Sequence, residues 1–302
     1  VADKNMGWLD YGDQIDQETI EQDAVGYPTI QWVHGDPQLK KAGGVAYTGG
    51  WFMPADRAGL DDDAVLEGWD RDTLIHSDGD ETEGYFRRDL TVALIRSRRA
   101  WQVKISGQTT IYPWSEYDQA KSAGGSFTGR LQILAVVQGL NEPRPVVLTV
   151  HGTVSQGIAI SRTADSVLNA FTRYVIGPAN KLMAKRGSKA RWPYRAFWLT
   201  IGPERESDGS PTYTTVGDEG SSSKVTLPVA IGLKDKMTPQ ELGALFVGKE
   251  VLDELTGYWH EATEWANAWD DVIAPSTDSK PKDDDAEPVG DAGFESAEDM
   301  PF

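Results

Sequence analysis

The sequence predicts a β-rich α+β body followed by a disordered acidic C-terminal tail. Three observations carry this. Short runs of Val, Ile, Thr and aromatic residues recur between Gly, Pro and Asp clusters. Two longer stretches place apolar residues at three- and four-residue spacing, as helices do. From about Asp271 to Phe302 there are ten acidic residues against Lys280 and Lys282, with too little apolar surface to offset the entropy of ordering.

The elements follow in chain order. Residues 1–26 are polar and acidic, an expected mobile arm with Trp8 and Tyr11 as occasional anchors, and the body spans 27–270. Strands are expected at 29–33, 45–53, 85–95, 101–105, 131–137 and 146–150. An acidic insertion lies near 55–83, and Gly43-Gly44 and Gly49-Gly50 suit a bulged or sharply curved strand pair. The spacing of Leu168, Phe171, Val175, Ala179 and Leu182 predicts a helix over 163–186, kinked by Pro178 and stopped by Gly187. Strands resume at 194–201, 211–216 and 224–231. Thr238-Pro239-Gln240-Glu241 then has the capping-box pattern of a helix start, and the apolar face from Leu242 to Trp259 predicts a helix running to Trp269. Several strands, a helix and further strands suit an oligonucleotide-binding-like (OB) barrel or related Greek-key β body with added helices. A sandwich or an open α+β sheet fits the same order.

The net charge of −18 argues against a polyanion partner until its distribution is read. Residues 1–85 carry −14, 86–205 carry +12, 206–270 carry −8, and 271–302 carry −8. A basic block inside an acidic chain is the footprint of a local polyanion site, although mutual neutralisation within the fold gives the same numbers. With no cysteine there is no disulfide or thiolate metal site, which fits a reducing, cytoplasmic setting (the bacterial host cytoplasm if the chain is phage-encoded). No apolar run approaches a membrane span, so no membrane partner is expected.

Single strands are held by basic residues that track phosphates and by aromatic rings that stack on bases. The block offers both in Arg87, Arg88, Arg96, Arg98, Arg99, Trp101, Lys104, Tyr112 and Trp114, and again in Lys185, Arg186, Lys189, Arg191, Trp192, Tyr194 and Arg195. The segment from Arg96 to Trp101 reads as a hairpin turn that would present its charges outward. Phe86, Phe197 and Trp198 alternate as buried strand residues do, and are expected in the core. Other motifs carry no chemistry. The run Gly243 to Lys249 has G-x4-G-K spacing, but Glu250 replaces the magnesium-binding hydroxyl and the segment falls in the predicted helix. His260-Glu261 lacks the second histidine of a zinc helix. His76, Asp78 and Asp80 do not match a calcium loop. No metal, cofactor or catalytic set is expected.

The tail closes on Glu298-Asp299-Met300-Pro301-Phe302. In its acidic character and these last residues it resembles bacterial single-stranded-DNA-binding proteins and some phage counterparts. The resemblance implies a docking role for Asp299, Met300, Pro301 and Phe302, which would recruit replication or repair proteins. Together with the basic block, it leads to the expectation of a non-enzymatic single-stranded-DNA-binding protein of DNA replication and recombination, of phage or mobile-element type. Its −8 tail would compete for the basic groove when DNA is absent. Self-association stays open. The alternatives are a nuclease or other replication or recombination enzyme with a metal held by carboxylates of the acidic insertion, and a phage structural or assembly protein without DNA affinity.

Overall fold

The structure is a computed structural model that describes residues 27–34, 49–55, 68–75, 81–106, 108–139, 144–160, 166–216 and 223–269. The N-terminal arm, Gly43-Gly44, residues 56–67 and 76–80 of the acidic insertion, and the tail with its Asp299-Met300-Pro301-Phe302 tip lie outside the described residues.

Twelve strands are described: β1 (Thr29–Val33), β2 (Gly50–Pro54), β3 (Asp70–Ile75), β4 (Glu81–Arg87), β5 (Leu90–Ile105), β6 (Gln108–Pro113), β7 (Ser126–Val137), β8 (Pro145–His151), β9 (Leu199–Pro203), β10 (Thr214–Val216), β11 (Ser223–Val225) and β12 (Pro228–Ile231). The helices are α1 (Tyr117–Ser122), α2 (152–160), α3 (167–185), α4 (Pro239–Leu245), α5 (Lys249–Glu261) and α6 (Thr263–Asn267). The class is therefore β-rich with a few helices, as expected. The main sheet runs β12-β9-β5-β7-β8-β1-β2-β4-β3, with β6 added to the far half of β5, and β10-β11 form a separate ribbon. All described pairings are antiparallel except β1 with β8.

Connectivity forces this sheet to curl into a half-barrel. β4 and β5 stand five places apart in the strand order, about 24 Å if the sheet were flat. Only Arg88 and Asp89 join them, and a link that short reaches about 11 Å. The two ends of the sheet must therefore approach each other. Trp51 of β2 donates its indole N–H to the carbonyl of Ile201 in β9 at 3.0 Å, and Trp32 of β1 donates to the carbonyl of Thr226 at 3.3 Å. Asp89 sits so close to Gly202 that a Cβ there would lie 2.1 Å from its Oδ1, so only glycine fits. Arg205 pairs with Asp89 at the same seam.

One face of the sheet holds the larger core, where Leu90, Leu94, Leu131, Ile133 and Leu148 meet Ile30, Trp51 and Met53 from the curled end. Helix α3 packs into it through Val167, Phe171 and Val175, all fully buried. Ser166 caps α3 by accepting from the Asn169 N–H at 3.3 Å. Its middle, Thr172–Ile176, widens to π-helical geometry, and the Gly177 N–H bonds the carbonyl of Thr172 five residues back. The expected disturbance at Pro178 takes the form of this widened turn, which relieves the clash of a proline ring inside a helix. The opposite face carries a second core of Ala93, Ile95, Leu134, Val136 and Val147 beneath Leu255, Ala262 and Trp265 of the C-terminal helices.

Several expectations are corrected. The segment Arg96 to Trp101 is the middle of the 16-residue β5, not a hairpin turn. Its partner β7 extends over the same length, and backbone pairing outweighs the local charge density. Within residues 55–83 the described part contains β3 and the start of β4, paired as a hairpin, so a strand pair occupies ground read as insertion. The segment from Tyr194 starts as a short 3-10 turn before β9. The C-terminal helix is three helices. The capping box of Thr238 and Glu241 forms as predicted, but Phe246 turns extended to bridge Phe197, and Gly248 takes φ 93. Only glycine enters that region freely, so α5 starts anew at Lys249. The G-x4-G-K run thus spans the α4–α5 break and does not join a strand to a helix.

Candidate nucleic-acid interface

Beyond residue 99 the β5, β6 and β7 strands form a three-stranded arm, with α1 folded onto one of its faces. Strand alternation puts Arg99, Trp101, Val103 and Ile105 on that face and Ala100, Gln102 and Lys104 on the other. Trp101 lies opposite Gly129 of β7, which has no side chain to compete for the space. Trp101 and Trp114 both rest over that glycine, within 3.5 and 3.7 Å of where a Cβ would stand.

The result is a three-ring stack. Trp114 and Trp101 are 3.9 Å apart at 12°, and Trp101 and Phe127 are 4.9 Å apart at 20°. The Trp101 indole N–H donates to the Trp114 carbonyl at 2.9 Å, which fixes the order of the rings. Tyr117 of α1 stands edge-on to both Trp101 and Phe127. With Ile105 it is one of two large apolar side chains that stay exposed among the described residues, at 40% and 43%. Cations border the stack, with the Arg99 guanidinium 4.8 Å from the Trp114 ring and Lys121 Nζ 5.6 Å from Tyr117. Near-parallel aromatic planes beside positive charge are the arrangement that accepts flat bases and tracks phosphates. Tyr112, on the same face, is 4% exposed and packs under the stack with Val103 and Ala120, so it serves as the floor and not as a ring open to ligand. Lys104 is exposed at the arm's tip on the opposite face.

The remaining predicted residues divide between three other places. Arg87 and Arg88 lie at the seam, half-buried and exposed respectively. Arg96, Arg98 and Arg195 are covered by the C-terminal helices. Arg96 donates Nε to the Trp259 carbonyl at 2.6 Å and lies 4.1 Å from the Trp259 ring, with Arg195 5.0 Å from the same ring. Arg98 is 7% exposed. It donates to Gln132 Oε1 at 2.8 Å and to the Trp265 carbonyl at 3.1 Å, and contacts the Trp265 and Trp269 rings at 4.4 and 4.3 Å. Arg130 approaches the Trp269 ring at 5.3 Å. Four arginines of the basic block are therefore engaged by tryptophans of this chain's own C-terminal helices. Burial lowers the Arg96 and Arg195 pKa values from the usual range, with Arg96 adding to the effect on Arg195.

The third place is the end of α3 and the loop behind it, where Lys185, Arg186, Lys189 and Arg191 are exposed. Trp192 is half-buried against Phe197 and Phe246, and Tyr194 is 5% exposed, with its hydroxyl bonded to Thr172. Phe86 and Phe197 are buried, as their alternation predicted, whereas Trp198 is only half-buried against the second core.

His151 ends β8 opposite Arg130. The residue is exposed, yet desolvation by the protein around its ring, followed by the charge of Arg130, lowers its pKa to about 4. It is therefore neutral at pH 7. Among the described residues no group of three His, Asp or Glu side chains is placed to hold a metal ion, and no helix is long and apolar enough to cross a membrane.

Phe127 and Lys121 escaped the sequence reading. The signal for Phe127 was present in the glycines around it (Gly124, Gly125 and Gly129), whose pairing partners only the fold reveals. Trp259 is expected on the apolar face of a helix that ends at Trp269, and nothing in that spacing points to the arginines that Trp259, Trp265 and Trp269 cover.

The chain matches no family model, no curated protein and no solved structure.

Proposed function

We propose that this chain is a sequence-tolerant, non-enzymatic single-stranded-DNA-binding protein of DNA replication or recombination, built on an OB or related Greek-key β body. The observation that carries the reading is the Trp114–Trp101–Phe127 stack with Arg99 and Lys121 at its border. Bases present flat faces only when unpaired. A short aromatic column at an exposed arm therefore favours single strands over duplex, at about 1–3 kcal/mol per stacked base. Arg99 and Lys121 meet the phosphates on either side, and affinity falls steeply with salt. Because the stack recognises π-faces and not base edges, it tolerates any sequence. The acidic tail with Asp299, Met300, Pro301 and Phe302 recruits replication or repair proteins in this reading, supported by its resemblance to the tails of single-stranded-DNA-binding proteins.

The test is a titration of intrinsic Trp fluorescence of the full chain with single- and double-stranded oligonucleotides at several salt concentrations. Quenching by single strands that weakens with salt is the expected result. No quenching or shift at low salt refutes the reading.

A further inference from the structure

A cleft of about 370 Å³ opens between the end of α3 and α4, away from the aromatic stack. Its walls are apolar (Leu182, Met183, Trp192, Leu242 and Phe246), and Arg186 supplies the charge at its edge. Trp192 stands edge-on to Phe197 and Phe246 at 5.9 and 5.3 Å, and its backbone N–H donates to Asn180 Oδ1 at 2.7 Å, so the back wall is built from this chain's own contacts. Lys185, Lys189 and Arg191, all exposed, lie within three residues of Arg186 or Trp192. An apolar hollow with a cationic rim suits an apolar or aromatic side chain preceded by carboxylates.

We infer that the occupant is the last segment of this same chain, Glu298-Asp299-Met300-Pro301-Phe302, folded back onto the body. Charge complementarity argues for it: residues 271–302 carry ten acids and two lysines, and Met300 and Phe302 are the side chains that match the hollow. Chain length allows it. Thirty-three residues follow Trp269, and a chain of that length reaches up to about 110 Å at full extension, so the tip can meet the cleft as a tethered ligand, for which effective concentrations are in the millimolar range. Glu298 and Asp299 meet the rim of Arg186 and its neighbours, while Met300 and Phe302 enter between Trp192 and Leu242. The proposal does not rest on DNA binding. It gives the tail a seat on the body from which a partner protein would have to draw it.

The absence of cysteine allows a direct test in the full chain. Gly243 lines the cleft and has open space where a Cβ would go, and Gly257 on α5 has the same freedom outside the cleft. Full-length Gly243→Cys/Ala297→Cys and Gly257→Cys/Ala297→Cys are oxidised with oxidised glutathione at low protein concentration, and intramolecular disulfide formation is followed by mass spectrometry. The cleft pair is expected to close about tenfold faster or more. Adding Arg186→Glu, or Met300→Ala with Phe302→Ala, is expected to bring that rate down to the Gly257 level. Equal rates for the two pairs, indifference to the tip substitutions, or disulfides formed mainly between chains would each overturn the proposal. Oligonucleotide binding by the same protein, measured separately, leaves these outcomes unchanged.

Discussion

The indole N–H of Trp51 donates to the carbonyl oxygen of Ile201 at 3.0 Å, across the seam where the curled sheet brings β2 back to β9. Both residues are fully buried, so no solvent competes for the bond. Trp51→Phe keeps an aromatic ring but removes the donor and is expected to cost about 1–3 kcal/mol. Urea unfolding followed by circular dichroism measures it. A variant as stable as the parent would mean that the short Arg88-Asp89 link holds the seam without help.

Tyr117 and Lys121 define the open side of the aromatic stack. Tyr117→Ala should weaken single-strand binding by roughly 5- to 150-fold, the worth of one stacked base. Lys121→Ala should instead reduce the slope of log affinity against log salt by about 0.7, the loss of one phosphate contact. Anisotropy of a labelled oligonucleotide across a salt series separates the two effects. Parent-like affinity and slope in both variants would place binding elsewhere.

Arg98 ties the C-terminal helices to the sheet through Gln132, the Trp265 carbonyl and two indole rings. Arg98→Met leaves two buried acceptors without their charged donor and should destabilise the fold by roughly 3 kcal/mol. Amides of α6 should exchange with deuterium faster than those of β7 gain exchange. Uniform acceleration in both would indicate global loss of stability and not release of the helices.

His151 should make stability depend on pH. Its folded pKa of about 4 lies below the 6.5 of an unperturbed histidine, so between these values the unfolded chain binds a proton that the folded chain refuses. Stability is therefore complete above about pH 6.5 and declines as pH falls toward 4. His151→Gln should flatten the change in urea midpoint between pH 7 and pH 5. An unchanged slope would assign the pH dependence to other groups.

The legibility of this chain varies with the range of the interactions. The capping box at Thr238 and the apolar face of α3 could be read because their partners lie three or four residues away. β1 was read to the residue because its alternation spans five positions. Arg96 to Trp101 misled because charge density suggests a turn, whereas β7 supplies a full ladder from a distance of about 30 residues. Tyr112 and Trp101 look alike in sequence. One forms the floor of the arm and the other its stack, and only pairing with Gly129 and the placement of α1 separates them.

The sequence by itself determined the β-rich class, the capped start of α4, the basic block between residues 86 and 205 and the acidic segments around it, since composition and short-range spacing carry these. Tertiary structure alone decided which of those basic residues meet solvent. It covered Arg96, Arg98 and Arg195 with Trp259, Trp265 and Trp269, and left Arg99 and Lys121 beside an aromatic stack. The physical reason is that an indole face and backbone carbonyls offset part of the cost of taking a guanidinium out of water, so an arginine can be covered and charge along the chain does not reveal exposure. For Arg96 and Arg98 the contacts that decide it come from helices more than 160 residues further along the chain.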